Sequence, residues 1–184
     1  GVAASAAYGI VEKIITMSSI VTQSIKSAGG SIAGQNIGAG FYERVKETLY
    51  AALKITLLAA AFLSTVFLLF PETIFGIFTE DPAVMAYAPS IMLVAASCCG
   101  LSALMGCYDI ITTGTGNSKL SFLAGVLDGV VFRLALCWLF GIHLNMGVVG
   151  FFMGNSFARI GPILVHASYY YSGAWKRRKR LVDD

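Results

Sequence analysis

Long apolar stretches separated by short polar connections run along the whole chain. Five stretches reach the roughly 20 mostly apolar residues that a helix needs to cross a bilayer. They cover residues 4–33, 48–70, 83–112, 119–141 and 147–172. Ten-residue segments of alternating polarity, typical of membrane barrels, are absent from the sequence, and helices satisfy their own backbone hydrogen bonds in lipid. The pattern predicts an all-α membrane protein, a polytopic bundle of about five transmembrane helices.

Turn-forming residues stand between the stretches. Pro71 is expected to end the second helix, and Asp81 followed by Pro82 to cap and begin the third. Glycines and an asparagine are expected to break the chain before the fourth and fifth helices, namely Gly114, Gly116, Asn117, Gly141 and Gly147.

The composition supports a membrane environment. The 184 residues are 57% hydrophobic and 12% charged, whereas about 25% of a soluble domain is charged. All four cysteines fall within apolar stretches without metal-ligand spacing, so they are expected to be free thiols and no metal site is predicted, the four being Cys98, Cys99, Cys107 and Cys137.

Basic residues are unevenly distributed between the connections. Arg44, Lys46, Lys119 and the run 176–180 fall on one side of the predicted bundle, while the opposite loops, 71–82 and 141–147, contain no lysine or arginine. Because lysine and arginine accumulate on the cytoplasmic side, the C-terminus is predicted to be cytoplasmic. Residues 176–184 should form a basic tail that contacts anionic lipid, and no nucleic-acid partner is expected.

One face of the first stretch is polar. Five polar residues recur there at alternating spacings of four and three, which places them along one side of a helix: Glu12, Thr16, Ser19, Gln23 and Lys26. We call this face the polar stripe. It is interpreted either as the wall of a translocation cavity or as a helix interface held by hydrogen bonds. The charged ends favour the cavity, because charges within a membrane usually face water or a protein interior.

Two further charges lie within the fourth stretch. Asp128 and Arg133 are five residues apart, so they are predicted not to pair with each other, since neighbours on an α-helix are three or four apart. Partners on other helices are therefore expected. Lys26 lies at a similar depth and is a candidate partner for Asp128. An ion-pathway role and a structural salt bridge both remain open for Asp128 and Arg133.

No catalytic constellation is present in the sequence. The glycines at 34, 38 and 40 follow no strand and precede no phosphate-binding lysine, so they are interpreted as helix-end and turn residues. His143 and His166 have no second histidine or carboxylate at ligand spacing and are interpreted as structural. The chain is predicted not to be an enzyme and to need no cofactor.

Four short motifs occur in a characteristic order. They are Gly34-Gln35-Asn36-Ile37-Gly38-Ala39-Gly40, Phe78-Thr79-Glu80-Asp81-Pro82, Gly114-Thr115-Gly116-Asn117-Ser118 and Gly173-Ala174-Trp175-Lys176. Together they resemble the C-terminal half of the multidrug and toxic compound extrusion (MATE) family, and the resemblance covers nearly the whole chain. The first motif is the most specific of the four.

The resemblance implies an architecture and a function. Family members have twelve helices in two six-helix lobes, so residues 1–175 would form part of a C-terminal lobe, corresponding to helices eight to twelve. An N-terminal lobe is then an expected partner, together with the lipid bilayer and a small organic substrate. The implied function is cation-coupled export of drugs or organic cations, with sodium or protons as the coupling ion, at the plasma membrane, which in a bacterium is the cell inner membrane.

Some site residues follow from the same resemblance. Asp109 lies in the helix that corresponds to the tenth, which often carries a cation-binding carboxylate, although it is nearer the cytoplasmic end. Arg133 matches an arginine often found in the eleventh helix. Two alternatives remain: a lipid-linked oligosaccharide or polysaccharide flippase, in which Lys26, Arg133 and Arg159 would bind pyrophosphate, and a non-transporting membrane scaffold or intramembrane enzyme.

Overall fold

The computed structural model describes residues 1–177, and these residues form helices without any strand. The helices are α1 (Val2–Gly38), α2 (Tyr42–Leu69), α3 (Pro71–Gly76), α4 (Pro82–Met85), α5 (Ala88–Gly114), α6 (Ser118–His143) and α7 (Gly147–Tyr171), followed by a 3₁₀ turn, Ala174–Arg177. The predicted all-α bundle is confirmed. The rest of the predicted basic tail lies outside the described residues.

Four of these helices are long and apolar enough to cross a membrane, namely α2, α5, α6 and α7. They overlap the second to fifth predicted spans. Helix α1 has 37 residues but does not join them, because the polar stripe and its neighbouring serines lower its mean hydropathy. That α1 also crosses the bilayer stays a prediction. The chain is a multi-pass membrane protein.

The connection before α5 differs from the prediction. Asp81 caps α4, with its carboxylate accepting a hydrogen bond from the Ala83 amide at 2.9 Å. Helix α4 ends at Met85 and α5 begins at Ala88. The motif therefore starts a separate single turn, and the prediction that it caps the third long helix is wrong. Helix α2 ends at Leu69, as the position of Pro71 predicts.

The later breaks are partly as predicted. Gly116 and Gly147 adopt positive φ angles of 60° and 58° at the turns before α6 and α7, a conformation that glycine adopts without strain. The Asn117 side chain caps α6 by accepting a hydrogen bond from a backbone amide. Gly114 is the last residue of α5, at the predicted break, whereas Gly141 lies within α6, so the prediction that Gly141 borders the break is wrong.

Glycines let α1 and α5 touch through their backbones. A Cβ atom on Gly114 would lie 2.9 Å from the Gly34 nitrogen and 3.1 Å from the Gly30 carbonyl oxygen. Small residues at a helix crossing allow such close approach in membranes. Gly34 and Gly38 lie in the last turns of α1, with Gly38 as its final residue, so they are helix-end residues as interpreted. Gly40, with a φ of 77°, is the turn residue.

Glycines also bring α6 and α7 into backbone contact. A Cβ atom on Gly150 would lie 2.5 Å from the Phe140 carbonyl oxygen, and one on Gly154 would lie 2.5 Å from the Cys137 nitrogen. The two helices therefore pack backbone to backbone over consecutive turns. This contact fixes the position of the first half of α7 against α6.

Helix α7 bends in its middle. It consists of Gly147–Phe157 and Ile160–Tyr171, because Pro162 has no amide hydrogen to donate to the carbonyl four residues earlier. The Gly161 amide bonds the Ala158 carbonyl in a tighter turn at 3.1 Å. Arg159 lies at this bend.

Candidate functional site

All five residues of the polar stripe line one cavity of about 210 Å³, which we call the stripe cavity. Arg159 of α7, together with Ser102 and Met105 of α5, lines the same space. Backbone contact at the glycines holds α1 beside α5, so the stripe meets a second helix there. This placement favours the cavity interpretation of the stripe over a closed helix interface.

Opposite charges meet near Asn155 in the stripe cavity. The Asn155 side-chain nitrogen lies 3.5 Å from a Glu12 carboxylate oxygen. The Arg159 guanidinium donates to the Asn155 carbonyl oxygen at 3.2 Å and to that of Ser156 at 3.4 Å. The guanidinium thus bonds two carbonyls of its own helix just before the bend at Pro162. A carboxylate and a guanidinium are thus held around a single residue.

A second cavity of about 300 Å³ adjoins the first. It is lined by Asp109, Asp128 and His166, and we call it the aspartate cavity. Lys26 and Met105 line both cavities. The polar stripe therefore ends where the two carboxylates of α5 and α6 begin.

Asp109 is the centre of a buried polar network. Its carboxylate pairs with the Lys26 ammonium at 2.5 Å and accepts a hydrogen bond from the Thr113 hydroxyl at 3.3 Å. The His166 Nε2 atom lies 3.7 Å from it, while the other ring nitrogen of His166 bonds the Thr112 hydroxyl at 2.8 Å. His166 thus joins a carboxylate that its sequence surroundings do not reveal.

The predicted pair between Lys26 and Asp128 is wrong. Lys26 pairs with Asp109, because the glycine contacts between α1 and α5 bring these two helices closer than α1 and α6. Asp128 lines the aspartate cavity together with Lys26, in agreement with the similar depth predicted for the two residues.

The prediction that Asp128 and Arg133 do not pair is also wrong. The Arg133 guanidinium donates to the Asp128 carboxylate at 3.1 Å. Residues Leu127–Phe132 form a π-helical turn, whose hydrogen bonds connect residues five apart, and this brings residues i and i+5 onto one face. The pair is incompletely satisfied, since the other carboxylate oxygen and the Arg133 Nε are buried without a hydrogen-bond partner.

The residues of the most specific motif contribute packing. Gly34, Gln35, Asn36 and Gly38 lie in the last turns of α1, and Ala39 follows directly. The Asn36 side chain bonds a carbonyl of its own helix at 2.8 Å, and the residues that line the two cavities come from elsewhere. Their contact partner is α5, through Gly34.

The thiols are free as predicted. Cys98, Cys99 and Cys107 are buried, whereas Cys137 is half-buried. Sequence reasoning did not select Asn155, Thr112 or Thr113, because isolated polar residues in apolar helices show no periodic pattern that points to a cavity.

Comparison with known proteins identifies the family. A family model described as MatE matches residues 1–139, which include the polar stripe, the Gly-Gln-Asn motif, Asp109 and the π-turn. Neither curated proteins nor solved structures gave a match. The matched residues make up more than half of the chain of 184. Members of this family are transporters, and the chain belongs to the MatE family of membrane transporters.

Proposed function

We propose that the protein is part of an antiporter that exports organic cations or drugs in exchange for protons or sodium. The observation that supports this best is the stripe cavity, in which Glu12 and four uncharged or basic polar residues of α1 line one space. A polar cavity bounded by apolar helices provides a substrate site near the middle of the bilayer. The stripe residues Glu12, Thr16, Ser19, Gln23 and Lys26 would then contact the substrate or coupling ion.

If the coupling cation and the substrate compete for one carboxylate, the inward flux of the cation is coupled to the export of the substrate. Asp109 and Asp128 are each paired with a basic side chain, whereas Glu12 forms no ion pair with any residue in the range 1–177. Glu12 is therefore the carboxylate best placed to take either a coupling cation or a substrate amine. A ligand that binds one conformation better than the other shifts the lobes between inward and outward states.

The stripe cavity is small for a drug-sized ligand, which supports the presence of a facing surface that enlarges it. Pockets for drug-sized ligands usually measure about 300–1,000 Å³, while the stripe cavity alone measures about 210 Å³. We propose that an N-terminal lobe faces it and completes the site, as the family architecture implies, and that the apolar outer helices contact the bilayer.

The flippase alternative gains less support. Of the three basic residues that would bind pyrophosphate, Lys26 pairs with Asp109 and Arg133 pairs with Asp128. Only Arg159 remains without an acidic partner among residues 1–177. One guanidinium is a poor site for a group with several negative charges.

A transport assay with a matched pair of variants tests the proposal. The chain is reconstituted in liposomes, alone and with an N-terminal lobe of the same family, and efflux of ethidium is followed under an inward proton or sodium gradient. Gradient-dependent efflux is expected only when the N-terminal lobe is present, with Glu12→Gln lowering its rate at least about tenfold because the carboxylate is lost. Lys13→Gln is the control, since Lys13 is exposed and lies outside the stripe cavity. Efflux at a rate that does not depend on the gradient would contradict the proposal. Equal efflux rates for Glu12→Gln and Lys13→Gln would also contradict it.

The proposed plasma-membrane location includes a defined orientation, with the C-terminus in the cytoplasm. In a cysteine-free background, single cysteines at Glu80 and Asn117 should react with an impermeant maleimide from opposite sides. Glu80 lies in the connection before α4 and Asn117 in the connection after α5, so α5 separates them, and the basic residues near Asn117 favour the cytoplasmic side. Labelling of both from one side would show that α5 does not cross the bilayer.

A further inference from the structure

We propose that a groove between α1 and α2 binds phosphatidylethanolamine, with the phosphate of the lipid at Arg44 and its ammonium group at Glu47. The groove has a volume of about 490 Å³ and shares no lining residue with the stripe cavity or the aspartate cavity. We call it the hairpin groove, because only residues 39–41 connect the two helices. The inference goes beyond the proposed transport function and does not depend on it.

The lining of the hairpin groove changes from polar to apolar along its length. In an antiparallel hairpin, residues equally far from the connection lie opposite each other, so Asn36 faces Arg44 and Ile25 faces Ile55. The remaining lining residues beyond the polar end are isoleucine, alanine and glycine. The polar end consists of four residues near the connection, namely Asn36, Arg44, Glu47 and Thr48.

The length of the groove matches one leaflet of a bilayer. Arg44 lies in the first turn of α2 and Ile55 lies at the middle of this helix, which is long enough to cross a membrane. The helix rises about 16 Å between these two residues, close to half of the roughly 30 Å hydrocarbon core. The polar end is therefore at the level of lipid headgroups and the apolar end near the bilayer centre. In the orientation proposed above, this is the cytoplasmic leaflet.

The width of the groove suits an acyl chain. Spread over about 16 Å, the volume of about 490 Å³ corresponds to a cross-section of about 30 Å². An α-helix with its side chains is about 10–12 Å across, so a neighbouring helix is too wide to enter. The small side chains of Ala28 and Ala51 leave this space between the larger Ile25, Ile32 and Ile55.

Two opposite charges at the polar end are left for a ligand. Arg44 and Glu47 are three residues apart on α2, which places them on one face, and neither forms an ion pair with any residue in the range 1–177. The Arg44 guanidinium lies 4.9 Å from the centre of the Phe41 ring. This contact with a ring face leaves its N–H groups available to bond an anion.

Phosphatidylethanolamine carries the complementary pair of groups. Its phosphate and its primary ammonium are separated by two carbons, so the two charges of one headgroup can reach neighbouring side chains on a helix. A guanidinium binds two phosphate oxygens through parallel N–H bonds, and an ammonium donates hydrogen bonds to a carboxylate.

The headgroup decides which lipid is preferred. Every lipid offers apolar chains, and exchange of one chain for another in a membrane brings no hydrophobic gain. Phosphatidylcholine has the same charges, but its quaternary ammonium has no N–H to donate to Glu47. Phosphatidylglycerol has no positive charge, so its phosphate meets Arg44 while Glu47 repels it. The groove should therefore select phosphatidylethanolamine.

Native mass spectrometry of the detergent-solubilised protein tests this preference. The 184-residue chain is titrated with phosphatidylethanolamine, phosphatidylcholine or phosphatidylglycerol, all with myristoyl chains, and the dissociation constant of the first bound lipid is measured. Phosphatidylethanolamine should bind at least about threefold more tightly than either of the other lipids, an effect in the range expected for exposed charge pairs.

Charge variants with matched controls assign the headgroup contacts. Glu47→Gln should weaken phosphatidylethanolamine at least about threefold and abolish its advantage over phosphatidylglycerol, whereas Arg44→Gln should weaken all three lipids at least about threefold. Glu43→Gln and Lys46→Gln remove charges from the same turns of α2 but outside the groove, so they should change none of the affinities.

A second pair of variants tests the position of the acyl chain. Ala28→Phe places a ring in the middle of the groove and should weaken all three lipids at least about threefold. Ala61→Phe makes the same change at an exposed position of α2 outside the groove and should have no effect. Circular dichroism establishes that each variant retains its helices.

Equal affinities for the three lipids would overturn the inference, as would an unchanged preference in Glu47→Gln. Unchanged lipid binding by Ala28→Phe would show that the lipid binds elsewhere. The titration is repeated with an N-terminal lobe of the same family bound to the chain. Loss of phosphatidylethanolamine binding in that complex would show that the lobe covers the groove, and it would also overturn the inference. Selective binding that persists in the complex and follows the expected variant pattern would support it, whatever the outcome of the efflux assay.

Discussion

Replacing Lys26 with methionine should destabilise the protein by about 3 kcal/mol, because removal of one partner leaves a buried charge uncompensated. The Asp109 side chain is only 12% exposed, and the Thr113 hydroxyl that remains is a weaker partner than an ammonium. Methionine keeps the length and most of the apolar stem of lysine, so the loss of unfolding free energy is due mainly to removal of the charge. We expect the largest effect of any single charge removal in the bundle.

A double-mutant cycle measures this pairing. Unfolding free energies in detergent micelles are compared for Lys26→Met, Asp109→Asn and the double variant. The double variant should be more stable than Lys26→Met, since neither charge is then left alone. Lys13→Met, on an exposed part of the same helix, should change stability by less than about 0.5 kcal/mol. Additive losses in the cycle would show that the two side chains do not interact.

Gly154→Ala should lower stability by about 3 kcal/mol or prevent folding. The added Cβ would lie 2.5 Å from the Cys137 nitrogen and 2.6 Å from its Cα, and these are backbone atoms of α6 that no rotamer change can move. Overpacking against side chains usually costs about 1–3 kcal/mol. A clash with backbone atoms should cost an amount at the upper end of this range, because α6 and α7 must move apart as whole helices.

Gly129→Ala is the matched control for this substitution. Gly129 lies in α6 with nothing within 4 Å of an added Cβ, so the same chemical change should be neutral or stabilise the helix by up to about 1 kcal/mol. Both variants are unfolded by titration with sodium dodecyl sulfate, and helix content is followed by circular dichroism. Equal midpoints for Gly154→Ala and Gly129→Ala would mean that α6 and α7 do not pack through Gly154.

Hydropathy predicted the fold because lipid imposes a simple condition on sequence. A spanning helix must be long and apolar, and 48–70 and 119–141 meet that condition with few charges, so they correspond to α2 and α6. The short helix α4 was missed because a single turn has no periodicity of its own. The prediction treated Asp81 as the cap of the next long helix, although the chain turns again between Met85 and Ala88.

The sequence predicted those features of the candidate site that depend on spacing within a single helix, and not the contacts between helices. The polar stripe follows from spacing within α1, and all five of its residues line one cavity. The partner of Lys26 depends on how closely α1 approaches α5, and that is decided by contacts such as Gly34 with Gly114, which periodicity does not encode. The Asp128–Arg133 pair was missed because the spacing argument assumed α-helical geometry throughout.

The π-turns of α6 have a consequence for relatives of this chain. Each π-turn accommodates one residue more than the α-helix around it, and α6 contains two, Leu127–Phe132 and Trp138–His143. An alignment of related sequences should therefore show single-residue deletions at these two places. A relative that lacks the first extra residue would keep the downstream half of α6 in the same orientation, and an acidic and basic pair there would be spaced by four residues. The spacing of five between Asp128 and Arg133 is the spacing that a pair across the first π-turn requires.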